Sequence, residues 1–79
     1  MNIKDLINID ADILGGQPVF TGTRVPVESL FDHLEAGVSL AEFLEDFPTV
    51  KKEQAVAVLE MANKLLTSKN ISQLYAAVA

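Results

Sequence analysis

The sequence predicts a mainly α-helical domain: a three-helix bundle with a helix-turn-helix, preceded by a short N-terminal β arm and followed by a small helix. Three observations predict this fold. Residues 15–27 hold three of the four glycines, two of the three prolines and the single arginine, a composition typical of turns and short extended pieces. Residues 27–78 then follow a largely helical apolar spacing. Within them, a capped short helix, a brief turn and a longer helix follow one another.

The arm, residues 1–26, is expected to contain short strands. We predict one strand at 6–9 and two further pieces at 19–20 and 24–25, which Thr21-Gly22-Thr23 separates. The residue before a proline is pushed toward extended geometry, and this favours strand conformation next to Pro18 and Pro26. The backbone geometry of this segment therefore sets the direction in which the first helix begins.

Arg24 is the residue of this arm with the most specific chemistry. Asp10 and Asp12 bracket a turn shortly before it. Because a guanidinium can hold a carboxylate with two parallel hydrogen bonds, we expect Arg24 to pair with Asp10 or Asp12. Contact with a phosphate or a partner protein is the alternative.

Three helices are predicted in the bundle, residues 27–66. The first begins near Val27 and stops at Gly37, a usual C-terminal residue. The second begins after Ser39, which forms a capping box with Glu42, and Pro48 ends it. The third runs over 51–66, so the helix-turn-helix occupies 39–66. The core stripes of the three helices are Val27, Leu30, Phe31, Leu34 and Val38, then Leu40, Phe43, Leu44 and Phe47, then Ala55, Val58, Leu59, Ala62, Leu65 and Leu66.

The tail, residues 67–79, is predicted to form an amphipathic helix. Asn70 and Gln73 have the spacing of a capping box. One apolar face follows at i, i+3, i+4 and i+7, and nothing obvious in the same domain remains to cover it. We therefore assign this face to partner binding; it consists of Ile71, Leu74, Tyr75 and Val78.

Composition limits the class of protein. A chain of 79 residues makes one domain. It has no cysteine, which excludes disulfides and thiol catalysis and fits a reducing cytoplasm. We expect neither a signal peptide nor a membrane span. The net charge of −5 argues against a protein whose whole surface binds nucleic acid.

Catalysis is not expected. His33, the single histidine, lies four residues after Ser29, so a Ser-His pair on one helix face is conceivable. A working nucleophile also needs an orienting group and an oxyanion site, which one helix face does not provide. The acidic residues match no metal-ligand spacing, and the glycines match no phosphate-binding loop. We expect no cofactor, no metal and no small-molecule substrate.

Nucleic-acid binding is the stronger alternative. The second helix of a helix-turn-helix enters the major groove with its first residues, and here these include Lys51, Lys52 and Gln54. The lysines can contact phosphates, and Gln54 can read an adenine edge. Glu53 opposes this, because it would repel the DNA backbone. Arg24 is the fourth candidate for a DNA contact.

Charge and apolar residues suggest two further surfaces. Residues 28–46 hold six acids and no lysine or arginine, and an acidic surface suits a basic partner. The partner-binding candidates here are Glu35, Glu42, Glu45 and Asp46. We also expect a homodimer, with contacts from the glycine-proline segment and from apolar residues off the core stripe. Its candidate residues are Val19, Phe20, Val25, Val56 and Met61.

Residues 7–66 resemble the DUF433 family. The likeness rests on Asp12, Gly16, Pro18, Gly22-Thr23-Arg24, Val25-Pro26-Val27, Leu34, Gly37, Phe47-Pro48 and the helix at 53–62. The resemblance implies a small prokaryotic protein with a homeodomain-like helix-turn-helix after a short β arm. It also implies an antitoxin from a toxin–antitoxin operon, paired with a PIN-like ribonuclease. The chain departs from the family at Lys51, where many members have a Ser or Thr helix cap, and its tail lies outside the shared region.

The expected function is therefore that of a non-catalytic antitoxin-like protein that neutralises a PIN-like ribonuclease toxin and binds its own operator DNA as a dimer. Two alternatives stay open: a stand-alone helix-turn-helix DNA-binding regulator, and an oligomerisation module that binds no nucleic acid.

Overall fold

The computed structural model describes residues 2–78. The chain is mainly helical, with a two-stranded antiparallel sheet near its N-terminus, which confirms the predicted fold class. A 3-10 turn at Leu14–Gly16 lies between the two strands. The elements in chain order are α1 Ile3–Leu6, β1 Ile7–Asn8, β2 Val19–Phe20, α2 Val27–Glu35, α3 Leu40–Asp46, α4 Lys52–Leu66 and α5 Lys69–Val78.

Helix α1 was not predicted. Its N-cap is Asn2, whose Oδ1 accepts a hydrogen bond from the Lys4 N–H at 3.0 Å. The Asn2 N–H in turn donates to Asp5 Oδ2 at 3.0 Å. This is a reciprocal capping box, which satisfies the free donors of the first turn. The chain then passes directly into β1, so the predicted strand at 6–9 is shortened to two residues.

The two strands join the ends of the arm. Ile7 lies opposite Phe20, and Asn8 lies opposite Val19. Both residues of β2 are fully buried, because the strand lies between β1 and the helices. The sheet therefore fixes the N-terminal arm against the bundle.

A tight turn follows β2, and no strand forms at 24–25. The Phe20 N–H donates to the Val25 carbonyl at 3.0 Å, and the Thr23 N–H donates to the Phe20 carbonyl at 3.0 Å. The predicted third strand is reduced to an isolated antiparallel bridge between Val19 and Pro26, because the chain enters α2 directly afterwards, at Val27. Gly22 has φ of 81°, a left-handed conformation that other residues rarely adopt.

Helix α2 ends in the predicted glycine stop. Gly37 has φ of 86°. The Val38 N–H donates to the His33 carbonyl at 2.9 Å, and the Gly37 N–H donates to the Leu34 carbonyl at 3.1 Å. This pair of bonds is a Schellman motif, which satisfies the last carbonyls of the helix.

Helix α3 has half of the predicted capping box. The Glu42 N–H donates to Ser39 Oγ at 3.1 Å; in the described residues the Glu42 side chain makes no return bond. Phe43 is fully buried and packs against the rings of Phe20 and Phe47. The helix ends before Pro48, as predicted.

Helix α4 begins one residue later than expected, at Lys52, and ends at Leu66. Its inner face closes a core to which α1, β2, α2, α3 and the turn before α4 also contribute. Small and branched apolar side chains from α4 meet aromatic and aliphatic ones from the sheet, α2 and α3. The buried cluster consists of Leu6, Phe20, Leu30, Phe43, Val50, Ala55 and Val58.

Helix α5 extends from the end of α4. It begins at Lys69, so the predicted cap at Asn70 is wrong: that residue lies in the first turn. None of its described residues is buried. The radius of gyration is 14.2 Å, against roughly 12 Å for a compact domain of this length. The excess indicates that α5 adds length to the molecule without adding to its core.

Candidate functional site

Gln54 is part of the interior and does not face a groove. Its side chain is only 7% exposed. The Nε2 group donates to the Asp5 carbonyl at 3.3 Å and to the Thr21 carbonyl at 3.0 Å. Its Oε1 accepts from the Lys51 N–H at 3.1 Å. The prediction that Gln54 reads a base edge is therefore wrong for this structure, because the side chain is buried and both of its N–H donors bond to backbone carbonyls.

Lys51, Lys52 and Arg24 are all exposed at the surface. Arg24 forms no salt bridge within residues 2–78. The predicted pairing with Asp10 or Asp12 is absent, since Asp10 Oδ1 instead accepts the Asp12 N–H at 2.9 Å. The carboxylate is thereby held in a local turn, and the guanidinium stays free for an external contact.

Two open clefts that share lining residues place Arg24 and Lys51 on one side of the molecule. A cleft of about 640 Å³ is lined by Arg24, and one of about 670 Å³ is lined by Lys51. Both clefts share Gly22 and Thr49. Glu53 also lines the second cleft, so its charge is mixed. Thr49 was not singled out from the sequence; its position in the turn before α4 was the only available signal.

His33 contributes to packing. Its Nδ1 lies 2.6 Å from the Ser29 carbonyl oxygen. A carbonyl carries no proton, so Nδ1 must donate in this contact. The ring also stands edge-on to Phe43 and to Phe47, with centroid distances of 5.3 Å in both cases. This bond joins the histidine to the backbone of Ser29, not to its hydroxyl, and the arrangement is that of a packed helix side chain.

The acidic surface is made of α2 and α3. All six of its carboxylate residues are exposed. Within the part of the chain that the structure describes, the one salt bridge joins Lys64 to Glu60 on α4, so these six lack a basic partner. Gln17 Nε2 donates to one of them, Glu28, at 3.1 Å. The six are Glu28, Asp32, Glu35, Glu42, Glu45 and Asp46.

The apolar face of α5 is also exposed. Leu74, Tyr75 and Val78 are 62%, 76% and 85% exposed, and Ile71 is half-buried. Leu65 at the end of α4 is exposed as well. The structure thus leaves this face uncovered, as the sequence suggested.

The proposed dimer residues divide into two groups. Val19 and Phe20 are fully buried inside the chain and cannot contact a second copy, so their assignment to a dimer interface is wrong. Their strand is covered by the chain's own sheet and helices. Val25 and Met61 are half-buried and pack on the core. Val56 remains at the surface, 44% exposed.

Two further properties of residues 2–78 limit the kind of site. They contain no group of three or more His, Asp or Glu side chains arranged to hold a metal ion. None of their helices combines the length and the hydropathy needed to cross a bilayer.

Comparison with known proteins gives a family. The model of the family described as "Protein of unknown function (DUF433)" matches residues 7–62. "Uncharacterized protein y4eO" of Sinorhizobium fredii (strain NBRC 101917 / NGR234) is 39% identical over 51 residues. The matched region covers 65% of this chain but only 23% of that relative.

A solved structure has the same fold. It is the crystal structure of a DUF433 member protein from Anabaena variabilis, with a TM-score of 0.66 and 24% sequence identity. The superposition covers 94% of this chain and 71% of that chain. The family match spans well over half of the sequence, and the chain belongs to the DUF433 family.

Proposed function

We propose that this chain is a cytoplasmic, non-catalytic, antitoxin-like protein that binds and neutralises a PIN-like ribonuclease and, as a dimer, binds its operator DNA. One observation carries the proposal: residues 25–50 expose six carboxylates on α2 and α3 and include no lysine or arginine. These acids form no salt bridge within the described part of the chain, so salt bridges from them contribute nothing to the stability of the fold there.

The chemistry of a ribonuclease fits such a surface. An enzyme that cleaves RNA must attract phosphates, and it therefore presents basic groups around its active site. A row of carboxylates with no internal counter-charge is complementary to those groups. Complementary charge raises the association rate and selects against wrong partners. The acidic surface would then occupy the place that RNA otherwise takes.

Co-purification tests this proposal. The tagged chain is co-expressed with the product of the adjacent open reading frame and purified at about 0.1 M salt, where charges act over roughly 10 Å. We expect the two proteins to elute together and the ribonuclease activity to be suppressed. Separate elution with full ribonuclease activity would contradict the proposal.

A matched pair of variants assigns the contact. Glu45→Lys with Asp46→Lys reverses two charges in the last turn of α3, where a cation suits the helix dipole, so folding is preserved. We expect this variant to lose the partner. The control, Asp12→Lys with Glu53→Lys, makes the same change in net charge away from α2 and α3 and should keep the partner. Equal behaviour of the two variants would mean that only net charge matters.

DNA binding is a second function, favoured by the exposed Lys51 and Lys52 at the start of α4. Arg24 also favours it, because its cleft shares Gly22 and Thr49 with the cleft that Lys51 lines. These three side chains supply phosphate contacts; Gln54 is excluded from base contact. A duplex titration should show salt-dependent binding, and Lys51→Glu with Lys52→Glu should lower the salt slope by about 2. The control is Lys64→Glu with Lys69→Glu. Binding that is absent, or identical in both variants, would refute this function.

A further inference from the structure

Helix α5 carries the largest concentration of exposed apolar side chains in the molecule. Nine large hydrophobic residues are exposed in residues 2–78, and five of them lie in the last fourteen of those residues. On α5 itself, Leu74, Tyr75 and Val78 share one face with the half-buried Ile71. Single exposed apolar residues are normal in soluble proteins, whereas a continuous face of them marks an interaction surface.

A partner would also stabilise this helix. It has ten residues, and isolated helices shorter than about 12–15 residues are marginal in water. Most helical stability comes from packing of the apolar face, yet α5 buries no residue against its own chain. Contact with something that covers this face would therefore stabilise the helix.

Charge identifies the occupant. Lys69 is the single charged residue of the segment 65–78, although the whole chain carries a net charge of −5. Two copies of an acidic protein repel each other at most contacts, and they approach at least cost through an uncharged segment. A basic ribonuclease would instead be drawn to α2 and α3, where the carboxylates lie.

Size agrees with the same occupant. The exposed apolar residues of 65–78 amount to several hundred Å², about the size of the largest patch on an ordinary monomer. A stable interface takes roughly 800 Å² from each partner, so the α5 face together with Leu65 and Leu66 at the end of α4 can supply part of one side. Homodimer interfaces are also more apolar than other interfaces and are depleted in charge. Both properties describe α5.

We propose that α5 packs against α5 of a second copy of this chain, in an antiparallel, two-fold symmetric pair. Symmetry of this kind is the commonest in oligomers, and each residue then meets the same patch on the other copy. The inference deepens the dimer named in the proposed function, because it assigns its contact surface. It also replaces the buried Val19 and Phe20 as dimer residues.

Sedimentation equilibrium of the full chain alone, between about 1 and 100 µM, tests the pairing. We expect a dimer. Leu74→Glu with Tyr75→Glu places charge on the apolar face and should weaken the dimer by at least about 100-fold. The control is Gln73→Glu with Ala76→Glu, which adds the same charge on the opposite face of the helix and should leave the dimer intact. Circular dichroism and thermal unfolding show whether the core remains folded in both variants.

A distance measurement keeps the proposal falsifiable if the apolar-face variant unfolds. The chain has no cysteine, so Ser72→Cys carries a single spin label at the edge of the helix. Paired helices lie about 8–10 Å apart, and we expect a short distance between the labels of two copies. A monomer at all concentrations, a dimer that survives in the Leu74/Tyr75 variant, or the absence of that distance would each overturn the proposal.

Other occupants would also show themselves. If addition of the ribonuclease dissociates the dimer and protects α5 from hydrogen exchange, the face belongs to that partner and the proposal fails. Failure of the ribonuclease to bind leaves the dimer result unaffected, because sedimentation uses the chain alone. The two proposals therefore fail separately.

Discussion

Gln54 links three parts of the chain, and its replacement is the most informative test of the fold. Its amide joins the start of α4 to α1 through Asp5 and to the turn after β2 through Thr21. It also accepts from the Lys51 N–H. In Gln54→Leu the volume of the side chain is nearly kept, while all three hydrogen bonds are lost.

The magnitude follows from these contacts. Each hydrogen bond contributes about 1 kcal/mol net, so three lost bonds cost about 3 kcal/mol. The leucine offsets part of this cost by burying apolar atoms, by about 1 kcal/mol. We expect a loss of about 2 kcal/mol in the free energy of unfolding. For a domain of this size that lowers Tm by roughly 8–16 °C.

Urea unfolding followed by circular dichroism measures the change, and an unaltered slope shows that the midpoint reports stability. The control is Asn63→Leu, which replaces an exposed amide on the same helix and should change stability by less than about 0.5 kcal/mol. If Gln54→Leu is as stable as the parent chain but loses DNA affinity, the residue faces DNA after all, and the assignment to the interior is refuted.

Three smaller tests concern the helix caps, the turn and the core. Ser39→Ala removes the cap of α3 and should cost about 1 kcal/mol in urea unfolding, while Ser39→Asp should restore it; equal stability of all three proteins would contradict the cap. Gly22→Ala should cost about 1 kcal/mol through its positive φ, and Gly22→Asn less, because asparagine tolerates that conformation; thermal unfolding that ranks Ala above Asn would refute the reason given. Phe43→Ala should lose about 3–5 kcal/mol, and a loss under 1 kcal/mol would mean that the aromatic cluster is not the core.

The helices of the bundle were predictable because local signals fix them. Gly37 ends α2 through its positive φ, Ser39 caps α3 and the residue pair Phe47-Pro48 ends it. Each of these effects acts within one or two turns of the chain. The sequence therefore predicted the bounds of α2, α3 and α4 to within one or two residues.

Other features depended on contacts between distant segments. The buried amide of Gln54 donates to the carbonyls of Asp5 and Thr21, which lie 49 and 33 positions earlier in the sequence. No local pattern distinguishes this amide from an exposed one. Its spacing of four residues from Val50 and from Val58, which are both buried, was the one available hint. Helix α1 does have a local signal, since Asp5 follows Asn2 at the spacing of a capping box.

The features of the candidate site also divide into those that local sequence predicts and those that depend on contacts between distant segments. Exposure of the charged residues on α2 and α3 followed from the helical period, and it was predicted. The absence of an ion pair between Arg24 and Asp10 or Asp12 in the described residues was not predicted; Asp10 Oδ1 instead accepts the Asp12 N–H. Burial of Val19 and Phe20 depends on the sheet with β1, a pairing that the sequence of the arm did not reveal.

The central claim is that the carboxylates of α2 and α3 bind a basic ribonuclease. The most direct measurement is the affinity of this chain for the product of the adjacent open reading frame, by calorimetry at increasing salt. We predict tight binding that weakens steeply as salt rises, and loss of binding for Glu45→Lys with Asp46→Lys. An affinity that changes neither with salt concentration nor with these two substitutions would contradict the claim.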